Sequence, residues 1–269
     1  MLCKYKVTPL DPRTWVIEEK TPASQALCYL LCGEDAALLV DTGMPFGNIK
    51  KVVDGLTSLP VTVVNTHAHV DHIGSNHRFD AICYHEADQP VFALHTDPKY
   101  IGGELAGYVL PGKAAKLLAP FIKLLLTPKA AGNYSYIQDG HVFHLGGRDV
   151  EAVHTPGHTP GCICLLDCAA RMLFTGDTLC EWGILLDLAG CCPPETYLAS
   201  VRRIKALSPA FDQNLPGHHG WPVDKGYIEE YEACAAGILD GTVEIDMEGN
   251  RRAAKYGRVL ITLPPERSA

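Results

Sequence analysis

The chain has 269 residues, 47% of them apolar, and a net charge of −8 at neutral pH, enough to bury a full core as one large domain. That acidic balance offers no basic field for a nucleic acid, and no apolar run approaches the roughly 20 residues that a membrane-spanning helix needs. The first residues, Met1-Leu2-Cys3-Lys4-Tyr5-Lys6-Val7, lack the apolar core of a signal peptide.

In chain order, residues 13–19 and 26–32 read as strands, followed by the turn signal Gly33-Glu34-Asp35. Ala36–Val40 is a short apolar strand ending at Asp41-Thr42-Gly43. A helical pattern covers 46–58, Val61–Val64 reads as a buried strand, and a helix opens at Asp71 and runs through Asn76. Ala81–Tyr84 is another strand with His85 at its end. Residues 87–135 then break the strand–helix rhythm as a helical insertion without a clear strand. Its most apolar part is Leu117–Leu126, where Pro120 starts or kinks a helix. This insertion reads either as a helix packed on the core or as a lid or dimer surface carrying substrate contacts, Phe121 among them.

Strands follow near 141–145 and 149–154, then a hairpin with arms Cys162–Leu166 and Met172–Thr175. Residues 195–207 predict an amphipathic helix, Phe211–Leu215 a strand, and Asp224–Leu239 a last helix. The tail from 242 to 263 has strand-like pieces and a basic cluster, Arg251, Arg252, Lys255 and Arg258. The 11 cysteines, an odd number without a disulfide-scaffold spacing, predict reduced thiols in a cytoplasmic protein. Cys162, Cys164, Cys191 and Cys192 read as small buried apolar residues. No repeat or linker interrupts the chain, so a single domain over 1–269 is expected.

The chemistry concentrates in Thr66-His67-Ala68-His69-Val70-Asp71-His72. Three imidazoles and a carboxylate this close are costly to bury without a metal. In an extended segment His67 and His69 project to one side, and Asp71 and His72, after a bend, can face a second point. Three later loops each carry a His or Asp beyond an apolar run: Thr155-Pro156-Gly157-His158, Phe174-Thr175-Gly176-Asp177 and Leu215-Pro216-Gly217-His218-His219. Adjacent residues beyond Pro-Gly point in different directions, so one metal recruits only one of His218 and His219.

In this order the motifs resemble the metallo-β-lactamase superfamily, from Asp41-Thr42-Gly43 to His218. The resemblance implies an α/β protein with an αββα sandwich. It implies one metal on His67, His69 and His158, a second on Asp71, His72 and His218, and Asp177 bridging both. Asp41 would support the site from behind, Asp71 would shuttle a proton, and the ligand beyond Gly217 would be His218. His77, His85 and His95 match no ligand position and read as surface or ordinary polar histidines. Imidazoles and carboxylates without thiolate suit two zinc ions, with iron or manganese as alternatives. A hydroxide bridging the two metals would be the nucleophile.

Asp177 stands where typical β-lactamases carry no aspartate, which argues against antibiotic hydrolysis. His69 stands where flavodiiron proteins place a glutamate. Leu179-Cys180-Glu181-Trp182-Gly183 does not look like the corresponding stretch of glyoxalase II, so a glutathione thioester is disfavoured within the glyoxalase II- and lactonase-like branch. The expected function is hydrolysis of a small-molecule thioester, ester or lactone; the alternative is a phosphodiesterase acting on a small phosphorylated substrate. Cys180, Trp182, Phe121 and His219 are the substrate-pocket candidates. Partners other than substrate, such as nucleic acid or membrane, are not expected; a homodimer is compatible with the insertion.

Overall fold

Two kinds of sequence pattern build the fold: apolar runs that become buried strands, and Gly-rich turns that deliver polar residues at the strand ends. The computed structural model describes residues 3–22, 24–97, 100–101, 105 and 133–265. Its backbone divides into two units, Met1–Ile137 with Val142–Asp149, and Gln138–His141 with Val150–Ala269.

Among the described residues, the first unit carries a seven-stranded sheet. Its strands lie in the order β1 (Lys4–Asp11), β2 (Thr14–Lys20), β3 (Gln25–Cys32), β4 (Ala37–Val40), β5 (Val61–Val64), β6 (Ala81–His85) and β7 (Asn133–Ile137). β1 to β4 pair antiparallel, and β4 to β7 pair parallel. Parallel neighbours release their chains at one edge, which is where such sheets place their sites. The turns after β4, β5 and β6 all leave there. Helix α1 (Ile49–Leu56) is capped by Asn48, whose side chain accepts the Lys51 amide at 3.2 Å. It buries Ile49 and Val53 in a core with Ile17, Leu30, Leu39 and Val63. In the segment around β8 (Val142–His144), the Leu145 carbonyl accepts the amides of Asp35 and Ala36.

The helix expected from Asp71 through Asn76 is shorter, α2 (Val70–Ile73), followed by a 3₁₀ turn over Asn76–Arg78. Gly74 separates the two because its backbone presses on a neighbouring loop. A Cβ there would lie 2.5 Å from the Pro45 nitrogen and 2.7 Å from the Gly43 carbonyl oxygen. Residues 87–135 begin with α3 (Gln89–Thr96) and end inside β7, a strand absent from the sequence reading. Its Asn-Tyr-Ser-Tyr-Ile pattern is an edge strand with little buried surface, which hides it from an apolar-run criterion. β1 escaped the reading for the same reason. Phe121 and the apolar segment 117–126 lie outside the described residues.

In the second unit β13 (Gln213–Pro216), β11 (Met172–Gly176), β10 (Ile163–Asp167) and β9 (Asp149–His154) are hydrogen-bonded neighbours in that order. β9, β10 and β11 pair antiparallel, whereas β11 and β13 pair parallel. The C-terminal ends of β9, β11 and β13 therefore share one edge. A second sheet joins β12 (Ile184–Leu185), β16 (Val259–Leu263), β15 (Arg251–Tyr256) and β14 (Ile245–Glu248). Helices α4 (Pro194–Leu207) and α5 (Gly226–Asp240) supply Tyr197, Val201, Ile204, Tyr231 and Cys234 to the core of this unit. Cys162 and Cys164 are buried as expected, whereas Cys191 and Cys192 are only half-buried. No described helix is long and apolar enough to cross a membrane.

Candidate metal centre

Each unit places candidate metal donors at its own sheet edge. In the first, Asp41 leaves β4 beside the residues that leave β5, because these strands are parallel and in register. Asp41 adopts a left-handed backbone, φ 61, a strained conformation that places its carboxylate under the metal loop. One oxygen accepts the Thr66 amide at 2.8 Å. The other accepts the Thr66 hydroxyl at 2.8 Å and pairs with His72 Nδ1 at 2.8 Å. With Nδ1 donating to Asp41, His72 keeps Nε2 for a metal. The Thr66 hydroxyl also lies 3.2 Å from His67 Nδ1, which turns His67 Nε2 outward.

His67 Nε2 and His69 Nδ1 then stand 3.2 Å apart. Two donors at about 2.0–2.1 Å from one tetrahedral ion are about 3.3 Å apart, so this pair is spaced as ligands to a shared ion. The backbone of the loop is fixed as firmly. Asp88 accepts the Ala68 amide at 2.8 Å, and His95 Nδ1 accepts the Val70 amide at 3.2 Å. Thr42 donates its amide to the His72 carbonyl at 2.8 Å. His95, which the sequence places among surface or ordinary polar histidines, is buried with its ring 4.4 Å from His69. His85 is buried as well, and accepts the Ala87 amide. A lone His in a helix gives no sequence signal of such a contact; only the packing of α3 against the loop reveals it. Ile101 and Leu105, also from the 87–135 stretch, pack on Val70.

In the second unit Asp177 follows β11 and His218 follows its parallel neighbour β13, with the Gly217 amide bonded to the Gly176 carbonyl at 2.8 Å. Asp177 Oδ2 lies 3.6 Å from His158 Nε2 and 3.5 Å from His218 Nε2. These separations are too long for good hydrogen bonds and close to the spacing of ligands around one ion. His158 is oriented by the Leu185 carbonyl, 2.7 Å from its Nδ1. Any residue type could supply that carbonyl, so the sequence held no trace of it.

The His158 loop is pinned by α4. A Cβ on Gly157 would meet the Tyr197 ring at 2.7 Å, and the Ser200 hydroxyl donates to the Pro156 carbonyl at 2.6 Å. Tyr197 and Tyr231 donate their hydroxyls to the carbonyls of Thr178 and Cys180, at 3.0 and 2.7 Å. Cys180 is buried, and burial, with Asp177 nearby, pushes its thiol well above the usual range. Among the described residues it joins no group able to hold a metal ion. Trp182 is exposed and stacks on His219, and burial, then the neighbouring His218, holds the His219 imidazole below its usual value.

Beneath the Asp41–Gly43 turn lies a carboxylate that the sequence reading missed. Glu19, fully buried in β2, accepts the Met44 amide at 2.7 Å. A Cβ on Gly43, φ +66, would stand 2.1 Å from its Oε2, so only glycine fits there. Burial pushes the Glu19 carboxyl from 4.5 up to about 7. Because the folded value is raised, the stability present below pH 4.5 is lost as pH rises through about 7. Glu19→Gln keeps an oxygen acceptor for Met44 without the charge. The metal-free variant should therefore escape a loss on the order of 3 kcal/mol between pH 4 and 8. Denaturant unfolding at both pH values checks this; identical pH dependence in variant and wild type would contradict it.

Among the described residues, every side chain that joins a His/Asp group able to hold a metal ion is one of His67, His69, Asp71, His72, His158, Asp177 and His218. Imidazoles turned by their second nitrogen, with carboxylates and no thiolate, are a donor set able to hold a metal ion. The chain belongs to the metallo-β-lactamase superfamily, whose sequence profile matches residues 21–233, and it is a hydrolase of that superfamily. It is 27% identical over 213 residues, 72% of this chain and 73% of the relative, to "Acyl-coenzyme A thioesterase MBLAC2" of Bos taurus. It is 28% identical over 201 residues, 71% of this chain and 72% of the relative, to "Probable polyketide biosynthesis zinc-dependent hydrolase BaeB" of Bacillus velezensis. Among solved structures, the metallo-beta-lactamase family protein TTHA1429 from Thermus thermophilus superposes with a TM-score of 0.65 at 21% identity, covering 87% of this chain and 83% of that one. The fold is thus the α/β fold of the metallo-β-lactamases, as expected from the motifs.

Proposed function

We propose that the chain acts as one metallo-β-lactamase-fold domain that would hold two zinc ions and hydrolyses the thioester, ester or lactone of a small molecule. His67, His69 and His158 hold the first ion, Asp71, His72 and His218 the second, and Asp177 joins both. The observation that carries this reading is Asp177 Oδ2, approached by the Nε2 atoms of His158 and His218 at 3.6 and 3.5 Å. A carboxylate shared between two imidazoles is the donor arrangement that suits two neighbouring ions. When bound, such ions supply a water of lowered pKa and polarise the substrate carbonyl.

The chain's own groups do the remaining work. Asp41 and the Leu185 carbonyl hold the imidazole orientations, so little reorganisation is needed during reaction. The Asp71 carboxylate takes a proton from the attacking water as the carbon–oxygen bond forms. It returns that proton to the sulfur or oxygen that leaves as the acyl bond breaks. Acyl substrates are favoured by the name of the thioesterase relative and by the chain's acidic balance, a net charge of −8, which gives no basic field for a phosphorylated substrate. Zinc-loaded protein should turn over members of a thioester and lactone panel and leave phosphodiesters intact. Turnover of phosphodiesters alone would overturn the reading.

A further inference from the structure

Trp182 is 71% exposed, an unusual position for the largest apolar side chain. Its backbone is nevertheless held on both sides. The Cys180 carbonyl accepts the Tyr231 hydroxyl at 2.7 Å, and Gly183, φ +142, seats against Leu260, whose carbonyl oxygen would lie 3.0 Å from a Cβ. The indole lies nearly flat on His219, with ring centroids 4.7 Å apart and planes 14° apart. His219 holds a left-handed backbone, φ 67, a conformation that persists at functional loops when the surroundings enforce it. The next ring is His218, 5.9 Å from His219. A rigid backbone thus presents one aromatic face to solvent, a single residue away from a metal-ligand candidate.

We propose that Trp182, backed by His219, is the platform that stacks a flat, uncharged part of the substrate's acyl group. This rests on the acyl-hydrolase reading above. A fixed aromatic face matches a flat partner through offset stacking. The surroundings disfavour an anionic one: Glu181 packs against Gly220, where a Cβ would meet its carboxylate at 2.3 Å.

The test compares zinc-loaded wild type, Trp182→Ala and Trp182→Phe. Equilibrium dialysis with 2-acetonaphthone, a neutral flat ketone with no bond to hydrolyse, reads binding without activity. Trp182→Ala should bind it about tenfold more weakly, and Trp182→Phe, which keeps a ring, should stay within about threefold of wild type. In kinetics, the kcat/KM ratio of 2-naphthoyl to acetyl thioesters of N-acetylcysteamine should fall about tenfold in Trp182→Ala, through KM. Unchanged ketone binding and an unchanged ratio in Trp182→Ala would overturn the platform. So would tetramethylammonium bound through Trp182 in place of the ketone. If wild type hydrolyses no thioester, ester or lactone, the acyl-hydrolase reading falls, while the dialysis still decides on the platform.

Discussion

Asp177→Ala should lower kcat by on the order of a thousandfold or more while leaving a folded protein. Asp177 follows β11 in a turn whose geometry does not depend on its side chain. The Thr178 amide bonds the Thr175 carbonyl at 2.9 Å, and the Gly217 amide bonds the Gly176 carbonyl at 2.8 Å. Removing the carboxylate deletes a group approached by both His158 and His218, so two ions would lose their proposed common ligand. Circular dichroism and metal analysis accompany the rate measurement. A variant with two bound metals and wild-type rates would refute the assigned bridge.

The second large effect separates two neighbours. His218→Ala should lose one metal per chain and most activity, about a hundredfold or more, whereas His219→Ala should retain both metals and part of the activity. The geometry of the turn underlies this difference. His218 aims Nε2 at Asp177, 3.5 Å away. The left-handed backbone of His219 turns its ring onto Trp182 instead. Metal counts decide the matter: a full count in His218→Ala with loss in His219→Ala would reverse the two roles.

The expectation that one metal recruits only one of the two comes from Pro216-Gly217, a turn beyond which neighbours point in different directions, and the choice of His218 comes from the family resemblance. Strands with apolar runs, such as β4, β5 and β10, were legible because their burial is written in composition. The motif residues at the strand ends could be read because imidazoles are costly there without a partner. What stayed hidden depends on contacts between distant segments. Glu19 sits in a strand beside Glu18 and looks like an exposed edge residue until Gly43 is laid across it. His95 gains its place only when α3 packs on the metal loop. The Leu185 carbonyl belongs to a two-residue strand, too short to signal itself. Edge strands β1 and β7 alternate polar and apolar side chains too weakly for the pattern to stand out.

The central claim is a two-zinc centre that cleaves acyl bonds. It is tested most directly by titrating metal-free protein with zinc while following hydrolysis of a thioester from the panel. The account predicts no rate without metal and a rise that levels off at two equivalents per chain. Full activity at one equivalent, or no rate on any thioester or lactone at two, would contradict it.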